Sequence, residues 1–226
     1  MHALPAGPDA VLLDFAAADD PAAAVGAAVR ALTAAQASGS LTGIDELTPG
    51  ASTLLVQCVE NRGVDMLGIH RAMRADLSEV ADGDTDAPPI EIPVVYDGAD
   101  LAEVASTLDV EVAEIVRIHR DTLWRVEFLG FAPGFGYLVP QARESGAHSS
   151  GTHPFDVIGR RAESRHRVPA GSVAIAAGYS AVYPRESPGG WYLLGHTDIR
   201  LWDTHSIPPA LLSPGARVRF VDEGKS

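Results

Sequence analysis

Arginine residues are concentrated in one short stretch of this chain. Four arginines and one histidine lie between Arg160 and Arg167, in a sequence that is otherwise strongly acidic. Guanidinium groups bind carboxylates and phosphates through paired, charge-assisted hydrogen bonds. The stretch therefore predicts an anion site in which Arg161 and Arg165 neutralise negative charge. A solvated loop whose arginines pair with surface acids is the alternative interpretation.

A segment rich in glycine and aromatic residues precedes this stretch. Phe128–Leu138 holds three glycines, one proline and four aromatic side chains within eleven residues. Glycine lets a backbone turn tightly or approach a ligand closely, and aromatic side chains line apolar pockets. The segment is either a ligand loop or a hairpin whose aromatic side chains cover the end of a barrel.

A second glycine turn follows the arginines. Ser187-Pro188-Gly189-Gly190-Trp191 is typical of a turn between strands, and Gly195-His196-Thr197 comes shortly after it. Successive N–H groups in such a turn can bind an anion. A wide turn with no ligand gives the same pattern.

His119 is the histidine that the helical pattern places most clearly. It lies on the apolar face of a predicted helix, seven residues after Val112 and in the last turn, where the helix end favours a protonated imidazole. It is either a structural hydrogen-bonding residue or a catalyst. The spacing of His148 and His153 matches no common zinc pattern, so we predict no metal site.

Composition excludes several classes of function. The 226 residues carry a formal charge of −13, which disfavours binding to nucleic acid or to anionic membranes. Lys225 is the only lysine, so no lysine is placed as a P-loop or Schiff-base residue. Cys58, the single cysteine, follows an apolar strand pattern and is predicted to be a buried, inert thiol. No targeting segment and no run of 18 apolar residues is present, so we expect a soluble, cytoplasmic protein.

Residues 1–86 are predicted to form a small α/β domain. The pattern runs strand, helix, strand, strand, helix, with Asp20-Pro21 starting the first helix and Asn61 capping the second. The second helix has one apolar stripe, formed by Met66, Ile69, Met73, Leu77 and Val80. A further strand after residue 89 would complete a ferredoxin-like arrangement.

Residues 87–226 are predicted to form a β-barrel domain with two short helices. The acidic, proline-terminated residues 81–89 are the expected linker. Asp100 and Glu103 form a capping-box-like pair before the first of these helices. The predicted strands are Ile90–Tyr96, Leu123–Phe128, Ser172–Ala176, Ala181–Tyr183, Trp191–Leu194, Ile199–Trp202 and Ala216–Val221.

Several spaced motifs together resemble one family. They are Phe128–Leu138 after His119, Arg165 with Val168–Ile175, Tyr183-Pro184, Ser187–Trp191, Gly195–Thr197, Pro214-Gly215 and Val218–Phe220. In this order they resemble allophanate hydrolase subunit 1, a family that includes the B-type subunit of the bacterial 5-oxoprolinase and the Kip-type kinase inhibitor. The family corresponds to subdomains C and D of a carboxyltransferase domain. Tyr179-Ser180-Ala181 and Gly195-His196-Thr197 depart from the usual family motifs.

The resemblance implies an α+β protein, with a small ferredoxin-like N-terminal domain and a cyclophilin-like β-barrel. It implies ATP-dependent opening of 5-oxo-L-proline to L-glutamate, with Mg as the counter-ion of ATP and no bound metal or organic cofactor. It also implies two kinds of partner: subunit 2 of the same family, which is the C-type subunit and has a similar barrel, and a third 5-oxoprolinase subunit.

The corresponding mechanism is a hypothesis in which Arg161 and Arg165 bind an anion and His119 orients a loop or transfers a proton. Backbone N–H groups of the glycine turns would stabilise developing charge, at roughly 3 kcal/mol per donor. The predicted substrate- or nucleotide-binding residues are Phe131, Pro133, Gly134, Phe135, Ser187, Gly189, Gly190, Trp191, His196 and Thr197.

Three other functions stay open on the sequence. The chain could be an allophanate hydrolase subunit, a non-catalytic inhibitor of a sensor histidine kinase, or part of a biotin-dependent carboxyltransferase. The last of these would need a biotin-carrying partner.

Overall fold

The chain forms two compact units, Met1–Asp84 and Thr85–Ser226. The computed structural model describes residues 1–74, 88–141 and 153–224. The predicted domain boundary between residues 86 and 87 lies outside the described residues. So do Leu77 and Val80 of the predicted apolar stripe, and His148.

The first unit is a four-stranded antiparallel sheet with two helices. Its sheet order is β1-β2-β4-β3. The elements are β1 (His2–Pro5), β2 (Ala10–Asp14), α1 (Pro21–Ala37), β3 (Ile44–Pro49), β4 (Thr53–Cys58) and α2 (Met66–Arg74). Alternate residues of β2 and β4 point into a core that also receives Leu32 of α1 and Ile69 of α2. The apolar faces that the sequence predicts for these strands and helices therefore pack together in one core.

The two helices begin in different ways. As predicted, Asp20 caps α1, and its carboxylate accepts a hydrogen bond of 3.0 Å from the N–H of Ala23. The predicted cap of α2 is wrong. Asn61 lies in a left-handed turn at φ 61°. α2 begins five residues later at Met66, directly after Asp65, whose carboxylate accepts from the N–H of Gly68 at 2.8 Å.

The strand expected after residue 89 does not complete this first sheet. β5 (Ile90–Val94) pairs in parallel with β13 (Arg217–Asp222) in the second unit. The outer place beside β2 is taken by β1, which reaches it through a short connection within the first fourteen residues. Local pairing fills that edge, so the ferredoxin-like sheet needs no later strand.

The second unit is a nearly closed barrel. Its seven strands run in the order β12-β9-β10-β7-β6-β13-β5, and Val95 pairs with His196 across the remaining gap. A separate two-stranded ribbon joins β11 to β8. Besides β5 and β13, the elements are α3 (Leu101–Leu108), α4 (Val112–Asp121), β6 (Trp124–Leu129), β7 (Gly136–Pro140), the 3-10 turn Pro154–Val157, β8 (Arg165–Val168), β9 (Ser172–Ala176), β10 (Tyr179–Val182), β11 (Ser187–Gly189) and β12 (Tyr192–His196). The predicted α+β class is confirmed.

One predicted strand of the barrel is wrong. In Ile199–Trp202, only Trp202 pairs with another residue, Ala210, in an isolated bridge. Leu201 is buried at 2 % exposure while Trp202 is 37 % exposed. The segment therefore anchors one side chain in the core instead of adding a ladder to the sheet.

Strand β9 shows why the barrel carries two apolar clusters. Val173 and Ile175 join the main core, whereas Ala174 and Ala176 join a second cluster with aromatic side chains. All five residues of β9 are buried. Burial on both faces explains the continuous apolar sequence of this strand.

Candidate functional site

A buried carboxylate lies at the start of α3. Asp100 is 2 % exposed. Its N–H donates to the carbonyl of Leu193 at 3.1 Å, and the N–H of Gly98 donates to Leu194 at 3.1 Å. A Cβ on Gly98 would collide with the backbone of Leu193 and Leu194. Glycine at this position thus lets the chain lie directly against β12 and brings Asp100 beside Leu193.

The carboxylate of Asp100 binds two arginines and one backbone N–H. Its Oδ1 accepts from Arg161 Nη1 at 2.8 Å and from Arg165 Nη2 at 2.6 Å. Its Oδ2 accepts from the N–H of Leu193 at 2.7 Å. The predicted capping box is wrong, since Asp100 occupies the N-cap position but makes no side-chain cap hydrogen bond. Glu103 instead accepts from Arg161 Nη1 at 3.2 Å.

The two predicted anion-binding arginines therefore converge on one point. Each is 24 % exposed, and both also contact the glycine turn. The N–H of Arg161 donates to the carbonyl of Gly190 at 2.8 Å, and Arg165 Nη1 donates to the carbonyl of Trp191 at 3.4 Å. Arg167, in contrast, is 76 % exposed and pairs with the exposed Glu186 at 2.5 Å. The arginine stretch is thus partly an anchored cluster and partly a solvated loop.

The charges of this cluster do not cancel within the buried layer. Two guanidinium groups face one buried carboxylate, while the second acid, Glu103, is 56 % exposed and screened by water. Arg161 Nε is buried and has no hydrogen-bond partner in the part of the chain that the structure describes. That buried Nε is closed to a ligand, but the partly exposed Nη groups of the two arginines can bind an anionic group of a small ligand.

The aromatic segment adds an exposed ring above a buried aromatic layer. Phe131 is 57 % exposed, and its backbone adopts a φ of 67°, which is uncommon for a residue other than glycine. Its ring lies edge-on to Phe135 and Tyr183, with centroids 5.1 and 6.1 Å away. Phe135 and Trp191 are 2 % and 7 % exposed, so they support this wall from below.

The hydrogen bonds of the aromatic loop limit what its backbone can offer. The N–H groups of Gly130, Ala132 and Phe135 donate to carbonyls inside the loop itself, at 3.1, 2.7 and 2.9 Å. Pro133 is exposed and Gly134 is buried. The loop is a tight hairpin, and its amide donors hold its own shape.

The second glycine turn packs against a phenol. A Cβ on Gly189 would collide with the hydroxyl of Tyr183, so only glycine fits there. Burial raises the pKa of Tyr183 to about 12, although the positive charge of Arg160 opposes the shift. Ser187 is buried and donates to the carbonyl of Arg185 at 3.2 Å. This turn positions the arginine cluster through Gly190 and Trp191.

His119 lies in the main core, bound by two neutral hydroxyl groups. It is fully buried, with Nδ1 2.8 Å from the Tyr96 hydroxyl and Nε2 2.8 Å from the Ser180 hydroxyl. Its ring stacks on Phe220 at 4.3 Å. Burial lowers the pKa of His119 to about 3, and the charge of His153 adds to the shift. The helix end by itself favours a protonated imidazole, but desolvation has the larger effect on this pKa.

His196 and Thr197 lie at the opposite end of β12 from the arginine cluster. His196 lies four positions after Tyr192 along the strand, which corresponds to about 13 Å. His196 is exposed and lies 2.9 Å from an oxygen of Asp97. Thr197 is buried, and its hydroxyl accepts from the N–H of Ile199 at 3.2 Å. The structure does not bring these two residues together with Arg161 and Arg165.

Asp100 is the site residue that the sequence did not reveal. Glu103, three residues after Asp100, makes the sequence look like a helix capping box. The arginines that bind Asp100 lie 61 and 65 positions after it in the chain. Tyr96 and Ser180 were missed for the same reason, since Ser180 lies 61 positions from His119. No local pattern carries such pairings.

Within the described ranges, no group of three or more His, Cys, Asp and Glu side chains is arranged to hold a metal ion. Among the described helices, none has both the length and the apolar character needed to cross a membrane.

Comparison with known proteins gives one consistent family. Residues 1–212 match the family described as carboxyltransferase domain, subdomain C and D. The chain is 36 % identical to the B subunit of 5-oxoprolinase from Escherichia coli O157:H7 over 221 residues, which cover 96 % of this chain and 94 % of that protein.

Solved structures show the same fold within longer chains. The crystal structure of TTHA0988 in space group P212121 superposes with a TM-score of 0.75 at 31 % identity, covering 96 % of this chain and 41 % of that one. The Kluyveromyces lactis urea carboxylase superposes with a TM-score of 0.67 at 17 % identity, covering 98 % of this chain and 22 % of that one. The second likeness concerns the fold alone.

Proposed function

The chain belongs to the family of carboxyltransferase domains, subdomain C and D, and on that premise we propose that it is the B-type subunit of an ATP-dependent 5-oxoprolinase. The reaction is the opening of 5-oxo-L-proline to L-glutamate. The observation that carries the proposal is the identity to the B subunit of a 5-oxoprolinase along 96 % of the chain. The arginine pair supports it, because 5-oxoproline carries a carboxylate that a guanidinium can bind.

In this proposal the residues of the chain bind and orient the substrate. Arg161 and Arg165, fixed by Asp100, hold the carboxylate, and Phe131 provides an apolar wall. No nucleophile and base within hydrogen-bond reach accompany them among the described site residues. His119 is buried and neutral, which favours an orienting role over proton transfer.

The remaining groups come from partners, which we propose to be the C-type subunit and a third 5-oxoprolinase subunit. TTHA0988, in which a domain like this one makes up 41 % of the chain, is an example of the same fold joined to further sequence. ATP enters as a substrate of the assembly. The phosphate-binding groups that this protein could offer are its arginines and backbone N–H groups.

The test is reconstitution of the complex from the three subunits. We expect glutamate release from 5-oxoproline that requires ATP and all three components, measured by an enzyme-coupled glutamate assay. Absence of release from the complete assembly would overturn the proposal. Hydrolysis of allophanate would support an allophanate hydrolase role instead, and binding to a sensor histidine kinase without glutamate release would support an inhibitor.

Arg165→Ala is the matching variant. It should abolish turnover while the complex still assembles on size-exclusion chromatography, because it removes one of two groups that bind the substrate carboxylate. Arg167→Ala is the control, since Arg167 belongs to the same stretch but is 76 % exposed and pairs with the exposed Glu186. Unchanged turnover in Arg165→Ala would remove this arginine from the mechanism.

A further inference from the structure

Asp100 differs in its surroundings from the other acids in the part of the chain that the structure describes. Its side chain is 3 % exposed, and its two oxygens together accept three hydrogen bonds. Those three donors come from different parts of the second unit: Arg161 from the loop before β8, Arg165 from β8 itself, and Leu193 from β12. One carboxylate thereby joins the start of α3 to the arginine stretch and to the strand that follows the glycine turn.

Helix capping does not account for this acid. It occupies the N-cap position of α3 without a side-chain cap hydrogen bond, so its oxygens are fully used outside the helix. An ionised buried carboxylate is stable only where charged or polar donors surround it. The arginines satisfy it, and it in turn removes their freedom to rotate.

We infer that Asp100 is a positioning residue, which sets the orientation of Arg161 and Arg165 toward the carboxylate of the substrate. This inference rests on the proposed function. Oδ1 of Asp100 accepts a hydrogen bond from one Nη of each arginine. Together with the bonds of Arg161 to Glu103 and of Arg165 to the carbonyl of Trp191, this restricts the rotation of both guanidinium groups. Binding of an anion then requires no reordering of two long side chains.

The variant that tests this is Asp100→Asn, which keeps the shape and an acceptor for Leu193 but loses the charge that holds the guanidinium groups. The control is Asp109→Asn at the other end of α3, an exposed residue at φ 55°, where asparagine is also well tolerated. Both variants are studied in the reconstituted complex, and circular dichroism and size-exclusion chromatography confirm folding and assembly.

The first readout is the rate at which phenylglyoxal modifies each arginine, mapped by mass spectrometry. In Asp100→Asn, Arg161 and Arg165 should react at least fivefold faster than in the wild type, while the 75 % exposed Arg200 reacts at its original rate. Unchanged rates at Arg161 and Arg165, or an equal increase at all arginines, would overturn the inference.

The second readout is the kinetics of glutamate release. Asp100→Asn should raise the KM for 5-oxoproline at least tenfold and leave the KM for ATP within twofold, whereas Asp109→Asn changes neither. An unchanged KM for 5-oxoproline would refute the positioning role. If the wild-type complex releases no glutamate, the proposed function fails, and the hold of Asp100 on the two arginines is then decided by the modification rates alone.

Discussion

A single buried imidazole shows how burial decides protonation in this protein. His119 lies in the last turn of α4, where a positive charge is favoured by about 0.3–1 kcal/mol. It is also enclosed by Trp124, Phe155 and Phe220. The free-energy cost of desolvating a charged imidazole exceeds the stabilisation that the helix end provides. The imidazole is therefore neutral in the folded protein. The two hydroxyl partners, Tyr96 and Ser180, suit a neutral ring.

The pH dependence of stability follows from this pKa. The unfolded imidazole takes up a proton as the pH falls below its usual 6.5, whereas the folded one does not until about pH 3. Falling pH therefore favours unfolding through His119, by at most about 1.4 kcal/mol per pH unit within this window. We expect the free energy of unfolding of the wild type to decrease between pH 6.5 and 4 relative to that of His119→Gln, measured by urea denaturation.

His166→Gln serves as the control for this series, since His166 is exposed. Its free energy of unfolding should follow the wild type at each pH. Parallel curves for the wild type and His119→Gln would contradict the buried, neutral imidazole.

At the residue scale, the sequence predicted which residue types gather but not which partners they choose. The composition of Arg160–Arg167 predicted an anion site, and Arg161 and Arg165 do converge. Whether an arginine in that stretch is anchored or solvated depends on an acid some sixty positions away, which composition does not show. The role of Asp100 depends on the packing of α3 against β8 and β12, which is a tertiary contact and not a local pattern.

Among the elements, α1 offers a direct test of a local signal. Asp20 accepts from the N–H of Ala23, and Pro21 occupies the first turn. Asp20→Ala should lower the free energy of unfolding of the first unit by about 1 kcal/mol. Asp19→Ala, at an adjacent exposed residue, should change it by less than half as much. Thermal denaturation followed by circular dichroism would measure both, and equal losses would contradict a specific cap.

The contact that nearly closes the barrel depends on Gly195 in β12. A Cβ there would collide with the carbonyl of Val95, the residue that pairs with His196. Gly195→Ala should therefore lower the free energy of unfolding of the second unit by about 1–3 kcal/mol, as overpacking does elsewhere. In Gly159→Ala, the control, the added methyl meets no atom within 4 Å. Equal urea midpoints for the two variants would contradict this prediction, because they would show that β12 can move away from Val95 without loss of stability.

At the element scale, short-range patterns were more informative than pairing. The bounds of β9 were predicted as Ser172–Ala176, because a run of apolar residues ends at a glycine turn. β7 was missed, since Gly136 and Pro140 at its ends look like loop residues. The pairing of β5 with β13 joins residues more than 120 positions apart. The predicted linker placed this strand in the second unit, but no local pattern could identify β13 as its partner.

At the scale of the whole molecule, charge predicts solution behaviour. Thirty acidic and seventeen basic residues give −13 at pH 7, and the charge reaches zero near pH 4.9. Mutual repulsion between molecules vanishes there, so we expect a solubility minimum near pH 4.9, measured as light scattering across a pH series. Reversibility on return to pH 7 would separate this effect from acid unfolding, and a minimum elsewhere would contradict it.

The bridge between Val95 and His196 also bears on how the barrel meets other proteins. Strand edges with unpaired N–H and C=O groups are templates onto which a foreign polypeptide can add a strand. Here β5 and β12 turn their outer edges toward each other, and the backbone of residues 95–98 lies against β12. An added strand would find the backbone groups of this seam already covered, so we expect partner proteins not to bind the barrel here by extending the sheet.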